Sequence, residues 1–476
     1  MSRSVVRRAI PTHNGHKFSK NKFKIDIRET AVNLKAYTGC IALGAAFLAA
    51  PAAAEQFGPL EVAGFVKEEF SRCDNCSPTL VNPSSFDPRG VLTNVNPPLN
   101  QGGETRATTA NLGLAMLTLG LSHEFDNAVK IQARGTSRVR NGGPDIFGHY
   151  MIDMYVGVSH PAYGSLDIGK MSTRSWTRSD SFAYPVGLSS PWAESGAGYG
   201  VVPEAVRYAT REFEMSLGKI RFEATLGRAD KRPPINAAAS TVAPPSPRMT
   251  ELFVQFSNEK NLVELIYQDT KGGRQSSFAK GAFYGAQGNT NGPAAATGYR
   301  PPSETLLVLQ GNHWFNPTWK LSYGIKRSEW SGQQQQCDYG PVSAFGFACY
   351  WDQGGFNYAV DQKLYKATET DYMAGISYTR NIWTFTAGMV RMGHAKTKNP
   401  TEWGQRNTAT FSNVGVYRKV PEIYKNLEAY AGFGRVDFGR QGPAPLSMPN
   451  NTAFFGADPR IAKSANGITI GANLKF

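Results

Sequence analysis

A row of basic side chains between residues 128 and 140 is the part of the sequence that could act on charged solutes. One parity of this stretch is polar and carries four cations: Lys130, Gln132, Arg134, Arg138 and Arg140. The other parity is apolar: Val129, Ile131, Ala133 and Val139. Alternation with a period of two predicts a β-strand with one polar and one apolar face. Ammonium and guanidinium groups on one wall of a narrow passage attract and concentrate anions.

Other segments place cations opposite apolar residues in the same way. Their basic residues are Arg207, Arg211, Arg221, Lys320 and Lys326. Glu223 shares the parity of Arg221, whereas Phe222 and Leu226 lie on the opposite parity. A charge at mid-depth on the lipid side of a membrane strand costs roughly 2–4 kcal/mol. This sorting therefore indicates a water-filled interior behind an apolar outer wall.

Sixteen segments have the pattern of β-strands. The connections between them alternate between short and long, except that the second of the long connections has only eight residues. The predicted spans are 60–70, 110–125, 128–140, 149–159, 165–173, 204–213, 219–227, 249–257, 261–270, 304–315, 319–329, 369–380, 382–392, 409–419, 426–438 and 464–476. All 29 prolines fall outside them, as expected because proline cannot donate to a strand ladder. An even number of strands lets a barrel close with both chain ends on one side.

The last segment ends on Phe476, and apolar and polar residues alternate over 468–476. An exposed apolar strand would make a soluble protein aggregate, but it suits a barrel wall that faces lipid. This ending resembles that of Gram-negative outer-membrane barrels, in which it serves as the insertion signal. We therefore expect an all-β fold: a 16-stranded antiparallel transmembrane β-barrel with long extracellular loops. A soluble all-β sandwich or barrel is the alternative class.

The chain begins with a segment typical of export. An apolar run at 36–50 follows basic residues and precedes Ala52-Ala53-Ala54, so we predict a signal peptide over 1–54 with cleavage before Glu55. The barrel domain then spans 55–476. The full chain has a formal net charge of +14, and the leader holds nine basic and two acidic residues, which leaves +7.

Four cysteines remain after the leader: Cys73, Cys76, Cys337 and Cys349. An even number in an exported chain predicts disulfides, with three possible connectivities. Two loop disulfides, Cys73–Cys76 and Cys337–Cys349, are the pairing we favour. Ser77 follows Cys76 where a c-type haem site requires His, so we expect no cofactor.

Residues 164–173 (GSLDIGKMST) resemble the fifth-strand segment of trimeric general porins, in which a Gly-aromatic-Asp-aromatic-Gly-Arg pattern leads into the third extracellular loop. Residues 204–210 (EAVRYAT) resemble the Arg-Tyr strand of that family. The resemblance implies that loop 174–203 folds inward and constricts the pore, with Lys170 as a constriction cation. Parity from Leu166 and Ile168 would point Lys170 to lipid, and a bulge at Gly169 would reconcile the two.

The constriction loop departs from that of cation-preferring relatives, which carries several carboxylates. Residues 174–203 offer only Asp180 and Glu194, balanced by Arg174 and Arg178. A passage lined mainly by cations favours anions. We therefore expect anion preference, with the selecting charges at Lys130, Arg134, Arg138, Lys170, Arg207 and Arg211.

These features predict an outer-membrane, passive diffusion channel for small hydrophilic solutes and inorganic anions. By the porin resemblance it is a homotrimer in contact with lipid and lipopolysaccharide. We expect no catalysis, no metal and no nucleic-acid partner, and the seven His show no metal-ligand spacing. One alternative is a porin selective for phosphate or another oxyanion, since the arginine fork suits oxyanions. A barrel that sheathes an electron-transfer partner and an outer-membrane enzyme are further alternatives.

Overall fold

The structure is a computed structural model. It describes residues 55–57, 59–76, 86–87, 91–92, 106–140, 151–181, 192, 200–228, 248–271, 303–331, 367–394, 396–397, 408–440 and 462–476. The chain divides into residues 1–50 and 51–476, and every described residue belongs to the second unit. The predicted signal peptide therefore lies outside the described residues and stays a prediction.

Sixteen long antiparallel strands form the fold, as the sequence predicted. They are β1 Leu60–Cys76, β2 Arg106–Glu124, β3 Lys130–Arg140, β4 Met151–His160, β5 Gly164–Ser172, β6 Val201–Ala209, β7 Gly218–Arg228, β8 Arg248–Ser257, β9 Asn261–Lys271, β10 Ser303–Trp314, β11 Trp319–Ser331, β12 Ala367–Arg380, β13 Trp383–Met392, β14 Ala409–Lys419, β15 Leu427–Phe438 and β16 Ser464–Lys475. Each pairs with its neighbour in the chain, and β16 pairs with β1 from Lys475↔Phe65 to Asn466↔Asp74. This last pairing closes the barrel, so the described sheet has no open edge between its first and last long strands.

Shorter elements accompany the barrel strands. Glu55–Phe57 pairs with the start of β1, Phe213–Met215 pairs with β7, and Lys396–Thr397 pairs with β12. Phe86–Asp87 and Val91–Leu92 form a separate two-stranded pair. The helix α1 spans Arg174–Ser181. Among the described residues, no helix has the length and apolar character needed to cross a membrane.

The outward face of the strands is apolar and the inward face is polar, because the side chains alternate along each strand. On β7, Phe222 and Leu226 are exposed outward, whereas Glu223 and Thr225 are buried on the inside. On β9, Leu265 and Tyr267 are exposed, whereas Glu264 and Gln268 are buried. An apolar exterior around a polar interior is the arrangement that a lipid-facing barrel requires.

Asparagine side chains set the short turns. Oδ1 of Asn258 accepts hydrogen bonds from the backbone N–H of Lys260 at 3.0 Å and of Asn261 at 2.8 Å. Oδ1 of Asn316 accepts from the backbone N–H of Thr318 and of Trp319, both at 2.9 Å. These side chains satisfy amides that the strand ladder leaves without a partner. The short connections lie at the end of the barrel where β1 begins and β16 ends.

The first strand is longer than predicted. The sequence placed 71–109 in a loop, but β1 runs to Cys76 and β2 begins at Arg106. The ladder continues to Cys73↔Thr108, shifts register, and resumes at Cys76↔Arg106. Backbone pairing with two neighbouring strands therefore extends β1 through a stretch whose polar composition suggested a loop.

The ladder between β5 and β6 contains a bulge next to Gly169, but the extra residue lies on β6 and not on β5, where it was predicted. Gly169 pairs with Ala205 and Met171 with Val202, so Lys170 alone faces Pro203 and Glu204. Gly169 has φ +145°, a conformation that side chains with a Cβ rarely adopt. Pro203 contradicts the expectation that every proline lies outside a strand. It is tolerated there because the bulge removes the need for its missing N–H.

Candidate functional site

The helix α1 lies against the inner wall of the barrel at the base of the constriction loop. Thr173 precedes it, and the backbone N–H of Thr173 donates to the carbonyl of Gly200 at 2.9 Å, which joins the two ends of the loop. The Oγ1 of Thr173 lies 3.1 Å from the Oγ of Ser175. A hydroxyl residue before the first turn is the usual N-cap of a helix, so the sequence itself starts the helix at this point.

The first turn of α1 is bound by a carboxylate of the barrel wall. Oε1 of Glu251, on β8, accepts from the N–H of Arg174 at 2.7 Å, and Oε2 accepts from the N–H of Ser175 at 3.1 Å. Gln268 on β9 donates to the same Oε2 at 3.0 Å and to the Oγ of Ser175 at 3.1 Å. A negative charge at this position satisfies backbone donors and complements the helix dipole.

The two loop arginines bind two further wall carboxylates. Nε of Arg174 lies 2.5 Å from Oε2 of Glu223, and Nε of Arg178 lies 2.6 Å from Oε1 of Glu264. Burial alone would lower the pKa of the Arg174 guanidinium, but the charges of Glu223 and Glu251 and the bond to Glu223 raise that pKa above its ordinary value. Both cations are thus held as ion pairs on the wall, where charge-assisted hydrogen bonds are strong.

Trp192, further along the same loop, is fully buried against the neighbouring strands β10 and β11 of the same wall. Its Nε1 donates to Oε1 of Gln310 on β10 at 2.9 Å. The Nζ of Lys326 on β11 donates to the carbonyl of Trp192 and lies 4.3 Å from the centre of its ring. Gly324 leaves room for the indole, because a Cβ at this position would collide with it.

Arg207 contacts the last residue of β5, next to the start of the loop. It is buried on the inner face of β6, where its guanidinium donates to Oγ1 of Thr225 at 2.9 Å and to the carbonyl of Ser172 at 2.6 Å. Asp153 holds the same segment from β4, since its Oδ1 accepts from the N–H of Ser172 at 2.7 Å. Arg207 thus fixes the point where β5 turns into the loop.

The predicted basic row of β3 lies on the inner face. Ile131 is 47% exposed on the outward face, and the ladder pairs Lys130, Arg134 and Arg138 with Glu124, Gly120 and Met116 of β2. The guanidinium of Arg138 lies 5.6 Å from the ring centre of Trp176 in α1. Within the described part of the chain, Lys130 and Arg134 form no ion pair, although Lys130 is opposite Glu124 in the ladder; their role in the pore stays a prediction.

The other predicted site residues lie elsewhere. Lys170 pairs in register with Met154, which is 59% exposed on the outward face, so strand pairing groups Lys170 with the outward row. Arg211 lies beyond the end of β6 on a short connection, where it stacks at 5.3 Å on Phe213. Asp180 lies in α1, but its side chain and the whole of Glu194 fall outside the described residues. The pore roles of these four stay predictions.

Cys73 is buried on β1 and disulfide-bonded. The side chain of Cys76 and the residues Cys337 and Cys349 lie outside the described part. The two disulfide pairs therefore remain a prediction.

The wall carboxylates Glu251 and Glu264, and the amides Gln268 and Gln310, were not predicted as site residues. A signal for them exists, because each lies on the parity opposite to the outward apolar residues of its strand, as Glu264 does between Val263 and Leu265. The same parity rule that selected the basic row would have selected them. What it could not supply is their partner, which lies on a distant loop.

The comparison with protein families decides the identity. A family described as Gram-negative porin matches residues 39–441. The chain is a member of this family. A search of curated proteins finds no match.

Solved structures share the porin fold at low sequence identity. The anion-selective porin from Comamonas acidovorans is 12% identical, with a TM-score of 0.52 over 88% of this chain and 99% of that chain. The outer membrane channel DcaP of Acinetobacter baumannii is 11% identical, with a TM-score of 0.51 over 90% and 100%. OmpT of Vibrio cholerae is 11% identical, with a TM-score of 0.51 over 89% and 100%. The porin is therefore an outer-membrane β-barrel channel.

Proposed function

We propose that this porin is a passive diffusion channel for small hydrophilic solutes, with a preference for anions and no catalytic activity. The observation that carries the anion preference is the difference between two sets of cations. Arg174 and Arg178 of the loop are paired with Glu223 and Glu264, whereas Lys130 and Arg134 on the facing row form no ion pair among the described residues. The unpaired positive charge raises the local concentration of anions.

The spacing of the basic row favours diffusion over the binding of one oxyanion. Arg134 and Arg138 are four residues apart on one strand, which separates their Cα atoms by about 13 Å. Thr136 lies between them and donates to or accepts from Thr118 at 3.1 Å. A single phosphate would need donors that converge, so a row of separated cations is better suited to passing anions along.

The environment of the barrel belongs to the same proposal. The outward apolar rows suit contact with outer-membrane lipid and lipopolysaccharide, and we propose that the working form is a homotrimer. The name of the Comamonas acidovorans porin states anion selectivity for that protein. Because this chain shares the fold of that porin, we propose anion selectivity for this chain too.

Planar bilayers under a KCl gradient test the proposal. We expect large, nearly ohmic conductance steps and a reversal potential displaced toward the chloride equilibrium potential. A reversal potential on the potassium side would refute the anion preference. Current that one oxyanion blocks at micromolar concentration would favour the selective porin, and absence of conductance would refute the channel.

A further inference from the structure

We infer that the upper ends of strands β7, β8 and β9, next to the long connections, form a binding site on the outer surface of the barrel for a phosphate group of an outer-leaflet glycolipid. Three cations make up this site, called here the basic outer row: Arg228, Arg248 and Lys271. The inference deepens the proposed contact with lipopolysaccharide by naming the residues that hold it. It rests on that proposal for the class of lipid and on the barrel itself for the placement of the row.

Strand pairing brings the three cations side by side. Arg228, the last residue of β7, is directly opposite Arg248, the first residue of β8. Arg248 is in turn directly opposite Lys271, the last residue of β9. Opposed residues in an antiparallel pair have Cβ atoms about 4.5–5.5 Å apart, and like charges at this spacing destabilise the sheet. An anion bound between the cations removes this cost.

The basic outer row points away from the lumen. Each cation has the parity of the exposed apolar side chains of its own strand, which are Leu226 on β7, Leu252 on β8, and Leu265 and Tyr267 on β9. Alternate side chains of a strand share one face of the sheet, so the cations lie on the lipid-facing side. All three are exposed.

Strand length places the row at the upper edge of the apolar band. Arg228 lies ten residues beyond Gly218, where β7 begins next to a short connection. At about 3.3 Å per residue and a tilt near 45°, this is a rise of roughly 23 Å. The apolar band of a membrane barrel is about 25 Å tall. The row therefore lies at the level where acyl chains give way to the headgroups of the outer leaflet.

The neighbouring acids do not neutralise the row. Asp269 binds Lys271, with 3.0 Å between Oδ2 and Nζ. Glu204 is opposite Arg228 on the β6 side, but within the described part of the chain neither Arg228 nor Arg248 forms an ion pair. Three cations therefore face two acids, and Arg248 has a cation on each side.

Outward arginines on β1 and β15 have acidic partners at the same end of the barrel. Nε of Arg72 lies 3.4 Å from Oδ1 of Asp74, and Nη2 of Arg435 lies 2.6 Å from Oδ1 of Asp437. These two guanidinium groups are neutralised by acids of their own strands. The opposed pair Arg228 and Arg248 is instead left to an anion from outside the chain.

A phosphate monoester of a lipid fits this position. It carries a charge of about −1.5 to −2 at pH 7, and a guanidinium group binds phosphate oxygens through two parallel N–H bonds. Directly below the row, Leu226 and Leu252 are 61% and 47% exposed, so they offer a contact for the acyl chains of the same molecule. A free anion has no use for this apolar surface, whereas a phosphorylated glycolipid contacts both parts.

Native mass spectrometry of the delipidated porin, titrated with bisphosphorylated lipid A, tests the site. The variant Arg228→Gln, Arg248→Gln removes the two opposed charges. Arg72→Gln, Arg435→Gln is the matched control, because it removes two outward guanidinium groups that have their own aspartates. We expect the dissociation constant for lipid A to rise about tenfold in the first variant and to stay unchanged in the control. Equal weakening in both variants, or unchanged affinity in the first, overturns the inference.

Competition measurements on the unmodified protein distinguish the occupants. Dephosphorylated lipid A should bind more weakly than the bisphosphorylated form, and equal binding would show that phosphate is not what the row recognises. Inorganic phosphate in millimolar excess should leave lipid A bound, and displacement would assign the row to a free anion. A changed oligomeric state of the first variant, with lipid A binding intact, would assign the row to a protein contact. Each of the last three results contradicts the inference.

The channel is tested separately in the same variant. Because the basic outer row faces away from the lumen, Arg228→Gln, Arg248→Gln should keep the reversal potential of the unmodified porin under a KCl gradient. A shifted reversal potential would place these arginines in the pore and overturn the inference. If the unmodified porin lacks anion preference while the variant loses lipid A, the proposed selectivity fails and the lipid site stands.

Discussion

Oε1 of Glu251, on strand β8, accepts a hydrogen bond of 2.7 Å from the backbone N–H of Arg174, the first residue of helix α1. One carboxylate of the wall thereby fixes where the constriction loop begins its course inside the lumen. The neighbouring ion pairs of Arg174 with Glu223 and of Arg178 with Glu264 extend this attachment along the helix. Wall acids therefore hold the described first part of loop 174–203 in place.

Replacing Glu251→Ala should loosen α1 from the wall. The variant leaves two backbone donors and Gln268 without their acceptor, and hydrogen bonds to a charged group contribute about 1.5–3 kcal/mol each. We expect noisier single-channel current and faster uptake of larger sugars in liposome swelling, since each 1.4 kcal/mol is tenfold in the docking equilibrium. Glu212→Ala, which removes an exposed acid near Lys219, is the control and should leave both measurements unchanged.

Replacing Arg134→Gln should reduce anion preference. Arg134 lies on the inner row of β3 and forms no ion pair among the described residues, so we expect its loss to remove a charge that acts on permeating ions. The reversal potential under a KCl gradient should shift toward zero. Arg211→Gln is the matched control, because Arg211 lies on a short connection against Phe213. An equal shift in both variants would contradict the assignment of selectivity to the inner row.

Replacing Glu223→Gln should act in the opposite direction. The variant keeps the shape of the side chain but removes the charge that pairs with Arg174 at 2.5 Å and with Arg221 at 2.9 Å. Two guanidinium groups then lose their shared counter-charge, so anion preference should increase. The reversal potential should move further toward the chloride value, and a shift toward potassium would show that these arginines do not reach the permeating ions.

Replacing Gly324→Ala should disturb the attachment of Trp192. The new Cβ would collide with the indole, and overpacking of this kind costs about 1–3 kcal/mol. We expect a lower unfolding midpoint in urea and a larger conductance. In a Trp192→Leu background the smaller side chain leaves room for the methyl group of Ala at position 324. The double variant Gly324→Ala, Trp192→Leu should therefore have a higher unfolding midpoint than Trp192→Leu alone. Additive losses would mean that the two residues do not interact.

Peptide mapping without reduction should identify the disulfides. Cys73 is disulfide-bonded, and the predicted linkage gives one peptide joining Cys73 to Cys76 and another joining Cys337 to Cys349. A peptide that joins Cys73 to Cys337 or Cys349 would instead tie the first strand to the distant loop. Mass spectrometry before and after reduction distinguishes these cases.

The sequence by itself determined the barrel. Alternation in segments such as 219–227 depends only on neighbouring residues, since a strand sends successive side chains to opposite faces. The same local rule placed the basic row of β3 inside. It failed at 71–76, where pairing with β16 and β2 extends a polar stretch as strand, and at the end of β6, which is Ala209 and not residue 213.

Only the tertiary structure decided what the loop arginines do. In the sequence, Arg174 and Arg178 balance the acids of their own loop. In the barrel their partners Glu223 and Glu264 are 49 and 86 residues away, and Glu251 reaches the helix start from 77 residues away. The periodicity of a strand gives the face of a side chain, but closure of the sheet brings distant strands around one lumen. The partners of an inward charge, and hence the charge left to act on solutes, follow from that closure.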